Sequence, residues 1–181
     1  MNADQAAHMR AGKLRLMAFD VDGVLTDGSL YYTDAGVEIK AFNTLDGHGL
    51  KMLQQAGVTV AIITGRHARC VELRAQNLGI EFLFQGVENK LEQMRALLTE
   101  LAIDPAQAGY MGDDIVDLPV MRALGFCATT ADGHALMSKY AHFVSARNGG
   151  RGAVREVCEF ILHSQGKLES TLAPYLATAP G

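Results

Sequence analysis

Acidic residues follow two apolar runs of this chain in a pattern that can support phosphoryl transfer. Asp20 and Asp22 come directly after the run that ends in Phe19, and Asp113 follows the run that ends in Met111. A hard cation such as Mg²⁺ is usually held by one or two carboxylates together with the phosphate of a substrate. A carboxylate beside such a cation can attack phosphorus, which splits one difficult displacement into two easier ones. The pattern therefore predicts chemistry through an aspartyl-phosphate on Asp20.

Other polar residues suit the remaining steps of the same reaction. Asp22, two residues after Asp20, can protonate the leaving alkoxide and then deprotonate the attacking water. Thr64 ends another apolar run and Lys90 opens a helical pattern, so both can reach the carboxyl edge of a parallel sheet. Their hydroxyl and ammonium groups can bind the phosphoryl oxygens, over which negative charge spreads in a loose transition state. We therefore expect Asp20, Asp22, Thr64 and Lys90 to be catalytic.

Each of these residues also has an ordinary structural interpretation. An Asp at a strand end often caps the next helix or occupies a turn. The group of Asp113, Asp114 and Asp117 is harder to explain in that way, because three carboxylates within five positions repel one another unless a cation or hydrogen-bond donors compensate. The order of the acidic groups along the chain therefore supports the catalytic interpretation.

Short apolar runs alternate with helical patterns along most of the chain. The predicted strands are Leu14 to Phe19, Val58 to Ile63, Glu81 to Phe84, Ala108 to Met111 and Gly125 to Ala128. The predicted helices are about Gly47 to Gln55, His67 to Leu78, Asn89 to Leu101, Val116 to Ala123 and Gly152 to His163. Strands that alternate with helices predict an α/β fold with a doubly wound, Rossmann-like parallel sheet covered on both faces.

Two stretches depart from this alternation. Residues 29–33 and 37–41 flank a turn that contains Gly, which predicts a small β-hairpin over about residues 28–41. The end of the chain shows no clear periodicity, so residues 167–181 are expected to form a flexible tail. The length of 181 residues suits a single domain over residues 1–181.

The composition excludes several classes of partner. Hydrophobic residues make up 49% and charged residues 20%, as in globular proteins, and the formal net charge is −4 with no dense run of Lys or Arg. We therefore expect neither nucleic acid nor a membrane as a partner. The three scattered cysteines predict neither a disulfide framework nor a zinc site. No apolar run approaches the roughly 20 residues needed to span a bilayer, so a cytoplasmic protein is expected.

The acidic groups, taken in order, resemble the four motifs of the haloacid dehalogenase-type phosphohydrolases. The motifs stand here as Asp20-x-Asp22-Gly23, Thr64-Gly65-Arg66, Lys90 and Gly112-Asp113-Asp114-x-x-Asp117. The resemblance implies that Asp20 is the nucleophile and Asp22 the acid and base. It also implies that Thr64 and Lys90 bind the phosphoryl group.

The same resemblance implies a magnesium cofactor. The ligands that it implies for Mg²⁺ are Asp20, the carbonyl oxygen of Asp22, and Asp113. Asp114 and Asp117 are then expected to support the waters of the metal.

The intervals between these motifs leave no room for the cap domain that usually closes such a site over its substrate. The interval 23–63 holds the hairpin and one helix, and the interval 65–89 holds one helix and one strand. This arrangement is similar to the 3-deoxy-D-manno-octulosonate 8-phosphate phosphatases of lipopolysaccharide sugar biosynthesis. These are capless members in which hairpins assemble a homotetramer and neighbouring subunits complete each site. The similarity implies a small sugar acid phosphate as substrate.

Residues 41–49, 62–66 and 149–156 carry this closer similarity. The substrate contacts that it implies, besides Asp22 and Lys90, are Asn43, Thr44, Leu45, Asp46, Gly47, Lys51, Arg66 and Arg74. A guanidinium fork suits a carboxylate, so Arg66 or Arg74 is expected to bind the C1 carboxylate of the sugar acid. Arg74 has an alternative role as a partner of surface acids such as Glu72.

Three other functions are compatible with these motifs. A phosphatase for a nine-carbon sialic acid phosphate would share them, because the motifs do not report the number of carbons. A phosphotransferase or mutase would reuse the aspartyl-phosphate, but it must exclude water and the chain has no cap for this. A non-catalytic, phosphatase-like oligomerisation module is disfavoured by the intact Asp20 and Asp22.

Overall fold

The computed structural model describes residues 2–177. The helices are α1 (Ala3–Ala11), α2 (Thr44–Gln55), α3 (Arg69–Leu78), α4 (Lys90–Glu100), α5 (Leu118–Met121), α6 (Met137–Tyr140), α7 (Ala153–Ser164) and α8 (Leu168–Leu176). The strands are β1 (Leu16–Phe19), β2 (Tyr31–Tyr32), β3 (Glu38–Ile39), β4 (Thr59–Ile63), β5 (Phe82–Phe84), β6 (Ala108–Met111), β7 (Phe126–Thr129) and β8 (Phe143–Val144). Short 3-10 helices cover Pro105–Gln107 and Ile115–Asp117.

Six strands form one parallel sheet in the order β5-β4-β1-β6-β7-β8. Strand β1 is central, and its last residue, Phe19, pairs with Ile62 on one side and Met111 on the other. From β1 the chain first builds the sheet towards β5 and then crosses to β6 and builds the other half. The strand order therefore reverses between β1 and β6, and open α/β sheets bind ligands at the carboxyl ends of the strands at such a point. The predicted doubly wound fold is confirmed.

The central strand shows how the sheet buries two cores. All four residues of β1 are fully buried, as expected for a strand covered on both faces. Met17 and Phe19 belong to the cluster under α1, α2, α3 and α7. Leu16 and Ala18 belong to the cluster under α4, α5 and α6. This packing holds the loop after β1 on a rigid support.

The end of the chain, predicted as a flexible tail over residues 167–181, contains a further helix. Residues Leu168–Leu176 form α8, and Leu168 and Leu172 pack against the core. The Lys167 ammonium donates to the carbonyl oxygen of Ala56 at 2.8 Å, which joins the start of this helix to the end of α2. These residues are helical where the sequence showed no clear periodicity, because the four-residue spacing of the leucines gives a helix one packed face. The flexibility of the tail stays a prediction. Residues 178–181 of the predicted tail lie outside the described part of the chain.

Strands β2 and β3 form the predicted hairpin as a separate two-stranded sheet. Tyr31 pairs with Ile39 and Tyr32 pairs with Glu38. Because opposed residues of an antiparallel pair share a face, the hairpin presents Tyr31 and Ile39 on one side and Tyr32 and Glu38 on the other. Tyr31 and Ile39 are about half exposed in the single chain.

Within residues 2–177, no helix combines the length and the apolar character that crossing a membrane would require.

Candidate active site

A cavity of about 450 Å³ opens at the carboxyl edge of the sheet, around the loops that follow β1, β4 and β6. The structure brings seven of the predicted site residues into its lining, which are Asp20, Asp22, Thr64, Arg66, Lys90, Asp113 and Asp114. Strand-end residues distant in sequence therefore converge as the parallel topology predicts.

The loop after β1 turns back on itself directly behind Asp20. The backbone N–H groups of Val24, Leu25 and Thr26 all donate to the carbonyl oxygen of Val21, at 3.2, 2.9 and 3.0 Å. Gly23 has a φ of +81°, and a Cβ at this position would lie 2.0 Å from a carboxylate oxygen of Asp113. Only glycine therefore permits the loops after β1 and β6 to approach this closely.

Lys90 lies at the centre of the buried charges. Its Nζ is 2.6 Å from Asp20 Oδ2 and 2.6 Å from Asp117 Oδ1. Lys90 is the first residue of α4, and Asn89 caps this helix by accepting a hydrogen bond from the N–H of Glu92 at 3.1 Å. Burial alone would lower the pKa of Lys90, but the two carboxylates raise it above its usual value, so the ammonium stays charged.

Asp117 is fully buried and organises the loop after β6 rather than lining the cavity. Its Oδ2 accepts the N–H groups of Asp113 and Asp114 at 3.2 and 3.4 Å. Its Oδ1 accepts the Tyr110 hydroxyl at 3.2 Å in addition to Lys90. Both oxygens are thus occupied by protein donors, whereas Asp20, Asp22, Asp113 and Asp114 line the cavity.

The acidic cluster has the charge and donor type that suit a divalent cation. Oxygen atoms of Asp20, Asp113 and Asp117 all lie within 4.8 Å of one another. Burial, and then repulsion from Asp117, raises the pKa of Asp20 to about 6 despite Lys90. Burial, and then repulsion from Asp20, raises the pKa of Asp113 to about 7. Three carboxylates facing one ammonium leave an excess of negative charge, and all-oxygen ligation favours Mg²⁺ over softer metals.

A second charged network surrounds Asp22, and the sequence did not predict most of it. The buried Lys40 ammonium contacts Asp22 Oδ1 and lies 2.7 Å from Glu38 Oε1. Arg66 in turn lies 2.9 Å from Glu38 Oε2 and donates a hydrogen bond to the Tyr32 hydroxyl at 2.7 Å. The Nε atom of Arg66 lies 3.8 Å from Asp22 Oδ2. The alternation of Glu38 and Lys40 about Ile39 was the available signal, because residues two apart on a strand share a face.

Most of the other predicted substrate contacts lie away from this cavity in the single chain. Asn43 caps α2 by accepting the N–H of Leu45 at 2.8 Å. Asp46 is buried and accepts the N–H groups of Gly152 and Arg155 at the start of α7, at 3.2 and 2.9 Å. These contacts give both side chains structural roles that their position in the sequence did not reveal.

Arg74 also has structural partners. Its guanidinium donates to the carbonyl oxygen of Asn43 at 3.0 Å and lies 5.8 Å from the centre of the Phe42 ring. A Cβ at Gly47 would lie 2.1 Å from this guanidinium, so Gly47 makes room for it. Thr44, Leu45 and Lys51 are exposed on the outside of α2. Their contact with substrate remains a prediction.

Comparisons with known proteins agree with this geometry. Residues 37–125 match the haloacid dehalogenase-like hydrolase family. The 3-deoxy-D-manno-octulosonate 8-phosphate phosphatase of Yersinia pestis is 49% identical over 160 residues, which cover 88% of this chain and 86% of that protein.

Two solved structures share the fold at high similarity. A probable YrbI family phosphatase from Pseudomonas syringae pv. phaseolica superposes with a TM-score of 0.95 at 49% identity, covering 97% of this chain and 99% of that one. The 3-deoxy-D-manno-octulosonate 8-phosphate phosphatase of Moraxella catarrhalis, solved with magnesium, phosphate and KDO, superposes with a TM-score of 0.93 at 38% identity. That match covers 96% of this chain and 99% of the other. The chain is therefore a haloacid dehalogenase-like hydrolase and belongs, within that group, to the 3-deoxy-D-manno-octulosonate 8-phosphate phosphatase family.

Proposed function

We propose that this protein hydrolyses the phosphate monoester of 3-deoxy-D-manno-octulosonate 8-phosphate to the free sugar acid and phosphate, as a step of lipopolysaccharide sugar biosynthesis. The observation that carries the proposal is the convergence of Asp20, Asp22, Lys90 and Asp113 on one cavity. Relatives at 48–49% identity bear the name of this phosphatase.

Asp20 is the proposed nucleophile. The N–H of Val21 donates to its Oδ1 at 2.7 Å, and Lys90 binds its Oδ2 at 2.6 Å, so the carboxylate is held in one orientation at the cavity wall. Attack of this carboxylate on phosphorus forms an aspartyl-phosphate and releases the sugar alkoxide. Pre-orientation of the attacking group removes part of the entropic cost of reaction.

Asp22 is the proposed acid and base. It protonates the leaving oxygen as the bond to phosphorus breaks, and then takes a proton from the water that hydrolyses the aspartyl-phosphate. Its Oδ2 is buried and accepts no hydrogen bond within the described residues, so no protein donor competes for the proton that this oxygen would carry. Asp22 as a residue belongs to the cavity lining.

Thr64, Lys90 and the metal ligands are proposed to bind the transferring phosphoryl group. Two backbone hydrogen bonds hold Thr64 at the cavity. Its N–H donates to the carbonyl oxygen of Phe84 at 3.0 Å, and its carbonyl oxygen accepts from the N–H of Val87 at 3.1 Å. When Mg²⁺ is bound by Asp20, the Asp22 carbonyl and Asp113, it neutralises phosphoryl charge and polarises phosphorus towards attack. Lys90 adds a fixed positive charge beside the same oxygens.

Arg66 is the proposed partner of the substrate carboxylate, since it is the one of the two candidate arginines that lines the cavity. Arg74 and the start of α2 then contact substrate only if the assembled protein brings them to a site. The nine-carbon alternative remains, because a longer sugar acid phosphate presents the same carboxylate and phosphate.

The proposed assembly is a homotetramer in the cytoplasm, with each site completed by a neighbour. The exposed hairpin face of Tyr31 and Ile39, together with the exposed Val37, offers an apolar surface for subunit contact. The three cysteines, Cys70, Cys127 and Cys158, are all free, as suits a reducing compartment.

A panel of phosphate esters tests the substrate assignment. Phosphate release is measured with magnesium on 3-deoxy-D-manno-octulosonate 8-phosphate, a nine-carbon sialic acid 9-phosphate and simple sugar phosphates, with Asp20→Asn as control. We expect the eight-carbon ester to have the highest kcat/KM and the variant to be inactive. A higher kcat/KM on the nine-carbon ester would make that ester the substrate in place of the octulosonate. Equally feeble release from every ester would contradict the proposed substrate.

A further inference from the structure

Lys40 contacts only one of the two oxygens of the Asp22 carboxylate. Oδ1 contacts the Lys40 ammonium, whereas Oδ2 accepts no hydrogen bond within the described residues. Because a carboxyl group transfers a proton through one oxygen at a time, this arrangement holds the group by Oδ1, while the buried Oδ2, which has no protein donor, is the oxygen that can carry the transferred proton. We propose that Lys40 is a positioning residue, which holds the Asp22 carboxylate in the orientation needed to exchange a proton with the leaving oxygen.

The surroundings of Lys40 support a fixed geometry. Its side chain is only 1% exposed, although lysine is rarely buried unless it is paired. Glu38 Oε1, 2.7 Å from the ammonium, supplies the second partner that a buried cation needs.

The contacts of Lys40 also extend, through Glu38, to Arg66. Glu38 binds Arg66 at 2.9 Å through its other oxygen, and Arg66 Nε lies 3.8 Å from Asp22 Oδ2. Lys40 and Arg66 therefore approach different oxygens of the Asp22 carboxylate, and Glu38 contacts both cations. Removal of Lys40 would leave Asp22 free to turn towards Arg66, away from the orientation set by the hairpin.

The inference deepens the proposed function and rests on Asp22 being the acid and base. In the first step Asp22 gives its proton to the leaving oxygen as the oxygen–phosphorus bond breaks, and in the second it accepts a proton from water. A leaving group that is a weak base, such as p-nitrophenolate, departs without that proton. Loss of Lys40 must therefore slow transfer from an alkyl ester more than transfer from an aryl ester.

The experiment measures the first turnover of Lys40→Met with two substrates in magnesium. Transfer from the octulosonate 8-phosphate should fall by at least about tenfold, which is part of the roughly 100- to 10,000-fold that general acid catalysis contributes, while p-nitrophenolate release changes only about threefold or less. Lys13→Met is the matched control, because Lys13 is exposed at the opposite edge of the sheet, just before β1. Equal losses with both esters, or no loss, would overturn the proposal.

A double-mutant cycle separates positioning from general damage. If Lys40 acts through Asp22, Lys40→Met should have little further effect on alkyl transfer in an Asp22→Asn background. An equal fractional loss in both backgrounds would contradict the proposal. Lys40→Arg retains the cation in a different shape, so it should keep the fold by circular dichroism and still lose more activity with the alkyl ester. Failure of the unmodified protein to release phosphate from either ester would instead reject the proposed function.

Discussion

At the scale of single residues, Asp117 shows how a group outside the cavity can set its chemistry. This carboxylate accepts hydrogen bonds from Lys90, Tyr110 and the backbone N–H of Asp113. We expect Asp117→Asn to lower magnesium affinity or kcat by about 10- to 100-fold, the usual effect of losing a group that orients metal ligands. Asp104→Asn is the control, because Asp104 also lies at a 3-10 helix but at the opposite edge of the sheet. Full activity of Asp117→Asn would contradict this role.

The raised pKa values of Asp20 and Asp113 predict how stability depends on pH. Both carboxyls bind protons more tightly in the metal-free folded state than in the unfolded chain, with pKa values of about 6 and about 7 against the ordinary 3.8. Their contribution to stability is therefore lost as pH rises from about 4 through about 7. We expect magnesium to raise Tm more at about pH 8 than at about pH 5, and Asp113→Asn to lose most of this difference. A magnesium-induced rise in Tm that is the same at both pH values would contradict this prediction.

Asp20, Thr64 and Asp113 could be predicted from the sequence because each lies at the end of a buried strand. The parallel topology then brings Asp20, Thr64 and Asp113 to one edge without any knowledge of side-chain contacts. The network of Lys40 could not be predicted in the same way. Its contact with Asp22 spans 18 residues and depends on how the hairpin folds over the site, which no local pattern reports.

At the scale of elements, the loop before α7 packs tightly on the loop after β1. The N–H of Gly150 donates to the carbonyl oxygen of Val24 at 2.9 Å, and a Cβ at Gly150 would lie 2.6 Å from the carbonyl carbon of Thr26. We expect Gly150→Ala to displace the loop that carries Asp22, and to lower kcat by more than about tenfold, because a misplacement near 1 Å can cost about 100-fold.

Gly57→Ala provides the matched control for that substitution. Gly57 also has a positive φ, +84° against +61° at Gly150, but a Cβ there would have nothing within 4 Å. It should lose about 1 kcal/mol of unfolding free energy from backbone strain alone, with kcat unchanged. Equal kcat values for the two variants, measured beside their unfolding curves, would show that the close packing is not needed for activity.

The elements that the sequence failed to predict all depend on packing or capping rather than on a strong period. Helix α1 carries no apolar stripe, and its start is fixed by a capping box between Asn2 and Gln5. Strand β8 is only two residues long and forms at the sheet edge by pairing with β7. Such short elements take their conformation from neighbours, so sequence patterns alone do not report them.

At the scale of the whole molecule, the two faces of the hairpin would link the proposed assembly to catalysis. One face carries the exposed Tyr31 and Ile39, and the residues that contact Arg66 lie on the other. We expect Ile39→Asp to reduce the proposed tetramer to smaller species in light scattering, since it places a charge in an apolar contact. Asp34→Asn, at the exposed hairpin turn, should leave the assembly intact. An unmodified protein that is a stable monomer would contradict the proposed assembly.

Formation of a covalent phosphate on Asp20 is the central step of the proposed mechanism. The direct measurement uses 3-deoxy-D-manno-octulosonate 8-phosphate labelled in its phosphate, mixed with the protein and magnesium, quenched in acid within one turnover and mapped by peptide digestion. We predict label on the peptide that contains Asp20, removed by hydroxylamine and absent in Asp20→Asn. Phosphate release that proceeds with no label on this peptide, or that continues in Asp20→Asn, would contradict it.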